Sequence, residues 1–97
     1  MTTLHIENTV HDYAAWKETF DKFDRARRDR GVRSYRMTRD HEDPHKVLVD
    51  LEFDSTTRAE EFREFLRGVM ATPQAQGHLV DHRPIVILDV VEEQTLS

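Results

Sequence analysis

Apolar positions along this chain follow two periods. From Thr3 to Val10 they alternate: Leu4, Ile6, Asn8 and Val10 share one side, and His5, Glu7 and Thr9 the other. A period of two predicts a β-strand. The period then lengthens. Tyr13, Trp16, Phe20 and Phe23 recur at steps of three and four, which predicts one amphipathic helix from Asp12 to Arg30. Asp12 is its expected N-cap, and Gly31, following a basic last turn, its expected left-handed stop. Val32–Arg39 returns to a period of two. Tyr35 and Met37 share a face with Arg33 and Arg39, and so half-apolar a pattern suits an edge strand. Asp40–Pro44 reads as a hairpin connection. His45–Phe53 follows as a strand with Val47, Val49, Leu51 and Phe53 on one face and Leu48, Asp50 and Glu52 opposite.

The second half repeats the scheme. Asp54 to Thr57 offers several N-caps, and Thr57 with Glu60 fits a capping box. Ala59, Phe62, Phe65, Leu66, Val69 and Met70 form the stripe of a second helix. Thr72 and Pro73 predict a short further turn closed by Gly77. Pro84 opens a last strand, Ile85–Val91, apolar on both faces apart from Asp89. The order strand, helix, strand, strand, helix, strand predicts an α+β fold: a ferredoxin-like βαββαβ domain over residues 1–97, with a four-stranded antiparallel sheet and two helices on one face. The other sheet face would carry Leu48, Val86, Leu88 and Val90, or Ile85 and Ile87 in the opposite register. An all-apolar strand needs cover on both sides. A second copy of the same sheet is the simplest cover, so a homodimer is expected. His5, Glu7, Arg33, Arg39, Asp50 and Glu52 would form a polar zone within or beside that interface.

Composition narrows the chemistry. Ninety-seven residues, 34% charged and 37% hydrophobic, suit one globular domain that gains from added burial by self-association. The net charge of −5 and the interleaving of acids among the basic residues argue against nucleic acid as a partner. The densest basic run, Arg25, Arg27, Arg28 and Arg30, reads as a solvated helix face, with anion binding as the alternative. The absence of cysteine excludes disulfides, thiol catalysis and cysteine-based zinc sites. No apolar run is long enough for a membrane span. MTTLHIENTV lacks the build of a signal peptide, so a cytoplasmic location is expected.

The pattern D-Y-x-x-W-x-x-x-F-D (Asp12 to Asp21), the Gly31 turn, the Asp43-Pro44 hairpin and the apolar last strand resemble the dimeric α+β-barrel superfamily. More narrowly, the chain is similar to the small proteins grouped with the antibiotic biosynthesis monooxygenases, from Leu4 to Val91. The resemblance implies two ferredoxin-like sheets pairing into a dimeric α+β barrel. It implies no single activity, because the superfamily holds cofactor-free monooxygenases, haem-degrading enzymes and polyketide cyclases. Glu7-Asn8-Thr9 resembles the first-strand segment in which such relatives carry a functional Asn, matched here by Asn8. Their second-helix Trp is replaced by Phe65. His78 lies near the position of their His with a spacing that differs by a few residues. The missing Trp argues against haem degradation, and no cofactor is implied.

Asn8 and His78 are therefore the candidate catalytic residues, with Tyr13, Trp16, Tyr35 and Phe65 as candidate walls of a ligand pocket. In cofactor-free oxygenation a substrate carbanion passes an electron to oxygen, and the protein need only bind, orient and stabilise the anion. The Asn8 amide could hold a carbonyl or phenolate, or bond a strand-end backbone group. Tyr13 and Trp16 could stack on a planar ligand, with plain core packing as the simpler role. His78 could act as a base or hydrogen-bond donor. His41 and His45 flank Glu42 and Asp43 without the spacing of a rigid metal site, so no metal is expected. His78 and His82 would be an i, i+4 pair on a helix, but Gly77 and the approach to Pro84 argue against a continuous one. The absence of a Gly-rich phosphate loop and of hydrolase motifs argues against nucleotide-dependent chemistry and hydrolytic triads. The expected function is binding of a small, possibly aromatic metabolite, with cofactor-independent monooxygenation as the activity that the resemblance implies if the protein is an enzyme; a non-enzymatic ligand-binding or stress-related dimeric module and a polyketide-cyclase-like role are the alternatives.

Overall fold

The central strand is β1 (Thr2–Val10), and a computed structural model describing residues 1–97 pairs it along both edges. On one edge lies β3 (Lys46–Phe53), antiparallel, with Leu4 opposite Leu51, Ile6 opposite Val49 and Asn8 opposite Val47. Beyond β3 lies the edge strand β2 (Ser34–Arg39). The other edge of β1 is shared end to end by β4 (Leu79–His82) and β5 (Val86–Asp89). The fourth position of the sheet is thus one broken strand rather than the single run Ile85–Val91 predicted above. Asn8 pairs with His82, while His5 pairs with Val86, a register shifted by one residue. Pro84, which has no N–H to donate to the ladder, sits in the break, and Arg83 N–H still reaches Glu7 O at 3.0 Å.

Four helices connect the strands: α1 (Tyr13–Lys22), α2 (Asp24–Asp29), α3 (Thr56–Met70) and α4 (Pro73–His78). Asp12 caps α1 by accepting from Ala15 N–H. Ser55, not Thr57, caps α3 by accepting from Arg58 N–H at 3.2 Å. Thr72 caps α4 with Pro73 in its first turn. Gly31 ends α2 at φ 95°, the left-handed region that favours glycine. The single helix expected over Asp12–Arg30 is interrupted at Phe23, where the amide bonds Phe20 O at 3.1 Å. The helix resumes at once, since Arg27 N–H donates to Phe23 O at 3.0 Å.

The sheet has two unlike faces. Under the helices, Leu4, Ile6, Val10, Val47, Val49, Leu51 and Phe53 meet Trp16, Ala59 and Phe62 in one core. Ile85 and Ile87 pack against this core, so Val86, Leu88 and Val90 are the ones left exposed. No helix is long and apolar enough to cross a membrane.

On the open face His5 Nδ1 lies 2.6 Å from Asp50 Oδ1, and His5 Nε2 lies 3.3 Å from Glu7 Oε2. Lys46 Nζ approaches Glu7 Oε1 at 3.8 Å, and Thr3 donates to Glu52 at 2.8 Å. Arg33 and Arg39 do not join this polar zone. They belong to the helix-facing register of β2, where Arg33 pairs with Asp54 and Arg39 stacks over Tyr13. Burial alone would lower the His5 pKa, but the hydrogen bonds and charges of Asp50 and Glu7 outweigh it and raise the group above 6.5.

Phe53 is fully buried against Phe62 at 5.6 Å between ring centroids, so Phe53→Ala should lower the unfolding free energy by about 3–5 kcal/mol in urea titration. His5 gives a pH signature. Its folded-state pKa is raised, so its contribution is full below pH 6.5 and is lost as pH rises through the folded value. The stability difference between wild type and His5→Gln should accordingly reach at most about 1 kcal/mol at low pH, the scale of a partly exposed ion pair. It should vanish toward pH 9; a difference that grows with pH would contradict this ion-pair assignment.

Candidate functional site

Alternation along β1 puts Asn8 on the helix-facing side among Ile6, Val10 and Val47. It is 8% exposed, and its Oδ1 has no hydrogen-bond partner. A buried acceptor left unpaired costs about 1–3 kcal/mol. The amide therefore does not serve the strand end, the structural role open to it from sequence.

Asn8 opens into a cavity of about 100 Å³ between the helices and the sheet, partly open to the surface. Trp16, Thr19, Phe20 and Phe23 line it from α1 and the break after it. Phe62, Phe65, Leu66, Val69 and Met70 line it from α3. Two aromatic ladders supply much of its wall. Trp16 and Phe20 lie 5.3 Å apart on the first helix, and Phe62 and Phe65 lie 5.5 Å apart on the third. Each ladder follows from the helical steps of three and four.

Only a few polar groups reach this wall. His78 ends α4, and its Nε2 lies 3.0 Å from Thr19 Oγ1. The backbone holds that end of α4 against the start of α1, since His78 O accepts from His11 N–H at 3.1 Å. The fourth polar side chain of the wall, beside Asn8, Thr19 and His78, is Arg27. It is 5% exposed, its Nε and Nη2 are buried without a hydrogen-bond partner, and its guanidinium stacks on Phe20 at 3.7 Å. Burial pushes its pKa down, though an arginine stays charged.

The structure thus brings Asn8, Trp16, Phe65 and His78 to one cavity and leaves Tyr13 and Tyr35 outside it. Tyr13 turns toward β2, where its hydroxyl donates to Met37 Sδ at 3.5 Å and Arg39 covers its ring. Tyr35, on the edge strand, is 42% exposed and packs edge-on against Phe20. His82 lies in β4, so it makes no helical pair with His78. His45 Nδ1 lies 3.1 Å from Val10 O, and no three His, Asp or Glu side chains gather as a metal site requires. The residue missed in the sequence is Arg27, assigned there to a solvated face. Its signal was available: the steps 16, 20, 23, 27 continue the aromatic stripe and end on an arginine.

Solved structures with this architecture include a Nitrosomonas europaea protein provisionally named an antibiotic biosynthesis monooxygenase. It superposes at TM-score 0.70 with 14% identity over 95% of this chain and 100% of its own. A Deinococcus radiodurans protein with the same provisional name gives 0.64 and 15% over 100% and 99%. A protein from an uncultured marine organism, described as a dimeric ferredoxin-like protein, gives 0.60 and 12% over 96% of each chain. The chain has their ferredoxin-like fold. At these identities the likeness is one of fold. No protein-family model and no curated protein matches the sequence.

Within this ferredoxin-like frame Asn8 is a polar side chain that the fold itself does not use. Asn8→Leu, similar in size and free of the unpaired acceptor, should raise the unfolding free energy by about 1 kcal/mol in urea titration. A loss of that size would instead assign the amide a structural role.

Proposed function

We propose that the protein is a homodimer that binds a small, mainly apolar metabolite in the cavity beneath the helices. The observation that carries this reading is the unpartnered Asn8 Oδ1, buried in the wall of an apolar cavity. Small-molecule sites combine such apolar walls with a few convergent polar groups. The half-exposed Val86 and Leu88 on the open sheet face favour a second sheet as cover. The name carried by several structures with this fold favours monooxygenation, and the resemblance of the Glu7-Asn8-Thr9 segment favours a cofactor-independent form of it; a cytoplasmic location is part of the same proposal.

In that reaction His78 would take a proton from an activated substrate carbon. The carbanion would pass an electron to O₂ and the radical pair would combine. Loss of water then converts a CH₂ centre to C=O, one oxygen atom leaving in the water. Asn8 would hold the substrate oxygen as negative charge builds there. The cavity restricts the substrate. About 100 Å³ is smaller than the ~150 Å³ cavity known to take up benzene, so at most about one ring is enclosed and any larger body projects through the open side. A non-enzymatic binding role is the second reading. It is favoured by the His78–Thr19 hydrogen bond, which already engages the only imidazole in the cavity wall.

Native mass spectrometry of the purified protein should show a dimer, and a monomer at micromolar concentration would overturn the facing-sheet arrangement. Oxygen uptake separates the two functional readings. Turnover of a small phenolic substrate should consume oxygen, and Asn8→Ala should lower kcat/KM by about 10²-fold or more. Binding without oxygen uptake across such substrates would leave the non-enzymatic role.

A further inference from the structure

Arg27 occupies a position that the fold neither needs nor satisfies. It continues the stripe of Trp16, Phe20 and Phe23 into the cavity wall, where an aliphatic residue would complete the core. The Phe20 ring covers the face of its guanidinium at 3.7 Å, and Tyr35 lies at 5.4 Å. Stacking of this kind uses the face of the cation and leaves its in-plane N–H donors unspent. Two of them, at Nε and Nη2, are buried and unpartnered. These two nitrogens share one edge of the guanidinium, the edge that meets both oxygens of a carboxylate side-on. The nearest carboxylate in the chain does not meet that demand. Asp24 Oδ1 stands 3.9 Å from Nη2, beyond hydrogen-bond reach, and Asp24 already accepts from Arg28 Nε at 2.8 Å.

A buried cation without a hydrogen-bonded counterion is costly to the fold. The chain as a whole is acidic, at net −5, yet Arg27 puts a buried positive charge into the cavity wall. Arg30 adds a second cation beside the same wall, stacked 3.8 Å over Phe65.

We propose that Arg27 is a carboxylate anchor: the cavity takes a small monocarboxylic acid whose two oxygens accept from Nε and Nη2 while its apolar body lies between the aromatic ladders. This assignment rests on the cavity being a ligand site, as proposed above, and adds the chemical class of the ligand. The acid carries one flat ring or a short branched chain, because the enclosed space is small. The remaining unpaired acceptor, Asn8 Oδ1, favours acids that also bear a hydroxyl.

The test is calorimetric titration at low salt with benzoate and 3-hydroxybenzoate, each against its uncharged amide. The wild type should bind the acids at least about tenfold more tightly than the amides, the gain of a fork-to-carboxylate pair over a neutral one. Arg27→Met should abolish that preference while keeping amide binding, and Arg27→Lys should keep part of it, since a point charge replaces the fork. Without ligand, Arg27→Met should melt at or above the wild-type temperature, because it removes a buried charge that has no hydrogen-bonded counterion. A large fall in melting temperature would mark Arg27 as a structural strut and overturn the anchor. Equal binding of acid and amide by the wild type, or a preference surviving in Arg27→Met, would overturn the anchor and leave the cavity as a neutral site. Failure of the wild type to bind either form would overturn the cavity reading itself.

Discussion

β1 is hydrogen-bonded along both edges, and that double pairing fixes the facing of everything else. A strand paired on both sides cannot slip by one residue without moving all its side chains to the opposite face. Leu4, Ile6 and Val10 are therefore held under the helices, and the register passes their alternation to β3 through Leu51, Val49 and Val47. The aromatic stripes of α1 and α3 then have one surface on which to close. The same rule binds Asn8. A polar residue in that register is carried into the core with no choice of side, and its buried, unpaired oxygen follows from the strand pairing rather than from local preference.

The cavity comes from a second constraint. Two helical ladders of aromatics, Trp16–Phe20 and Phe62–Phe65, lean over the sheet. The cavity of about 100 Å³ is lined by both ladders and by the sheet below them. α4 adds the polar end, placing His78 against Thr19. What distinguishes this interior from an ordinary core is the pair of polar groups left without partners in its wall, Asn8 and Arg27. A fold selected for stability alone would place apolar side chains at both. Stability given up at two positions facing one cavity is the physical basis for reading that cavity as a site.

The opposite sheet face follows different chemistry. Val86 and Leu88 offer apolar area, while His5, Glu7 and Asp50 form a charge cluster a short distance across β1. An apolar strip beside a charged patch that carries its own internal pairing suits a surface able to meet a second copy. The break at Pro84 matters here. By shifting the register one residue between β4 and β5, it keeps Ile85 and Ile87 on the core side and leaves Val86 and Leu88 outward.

The sequence by itself determined the periods, the caps at Asp12 and Thr72, the Gly31 stop and the order of the main elements, because these are set by neighbours along the chain. It also marked Asn8, since a polar residue on an alternating apolar face is visible in one dimension. What it did not decide was long-range. The strand Leu79–His82 has no alternation of its own and exists because β1 offers it an edge. Tyr13 and Tyr35 share helix or strand faces with cavity residues but point toward the β2 side. The tertiary structure also decided the fate of Arg27. Its spacing along the helix placed it on the apolar stripe, but the surrounding Asp24, Arg28 and Asp29 argued for solvent. Only packing against Phe20 and the cavity wall showed that the guanidinium is buried with two donors unmet, because burial depends on what the rest of the chain brings over a residue and not on the residues beside it.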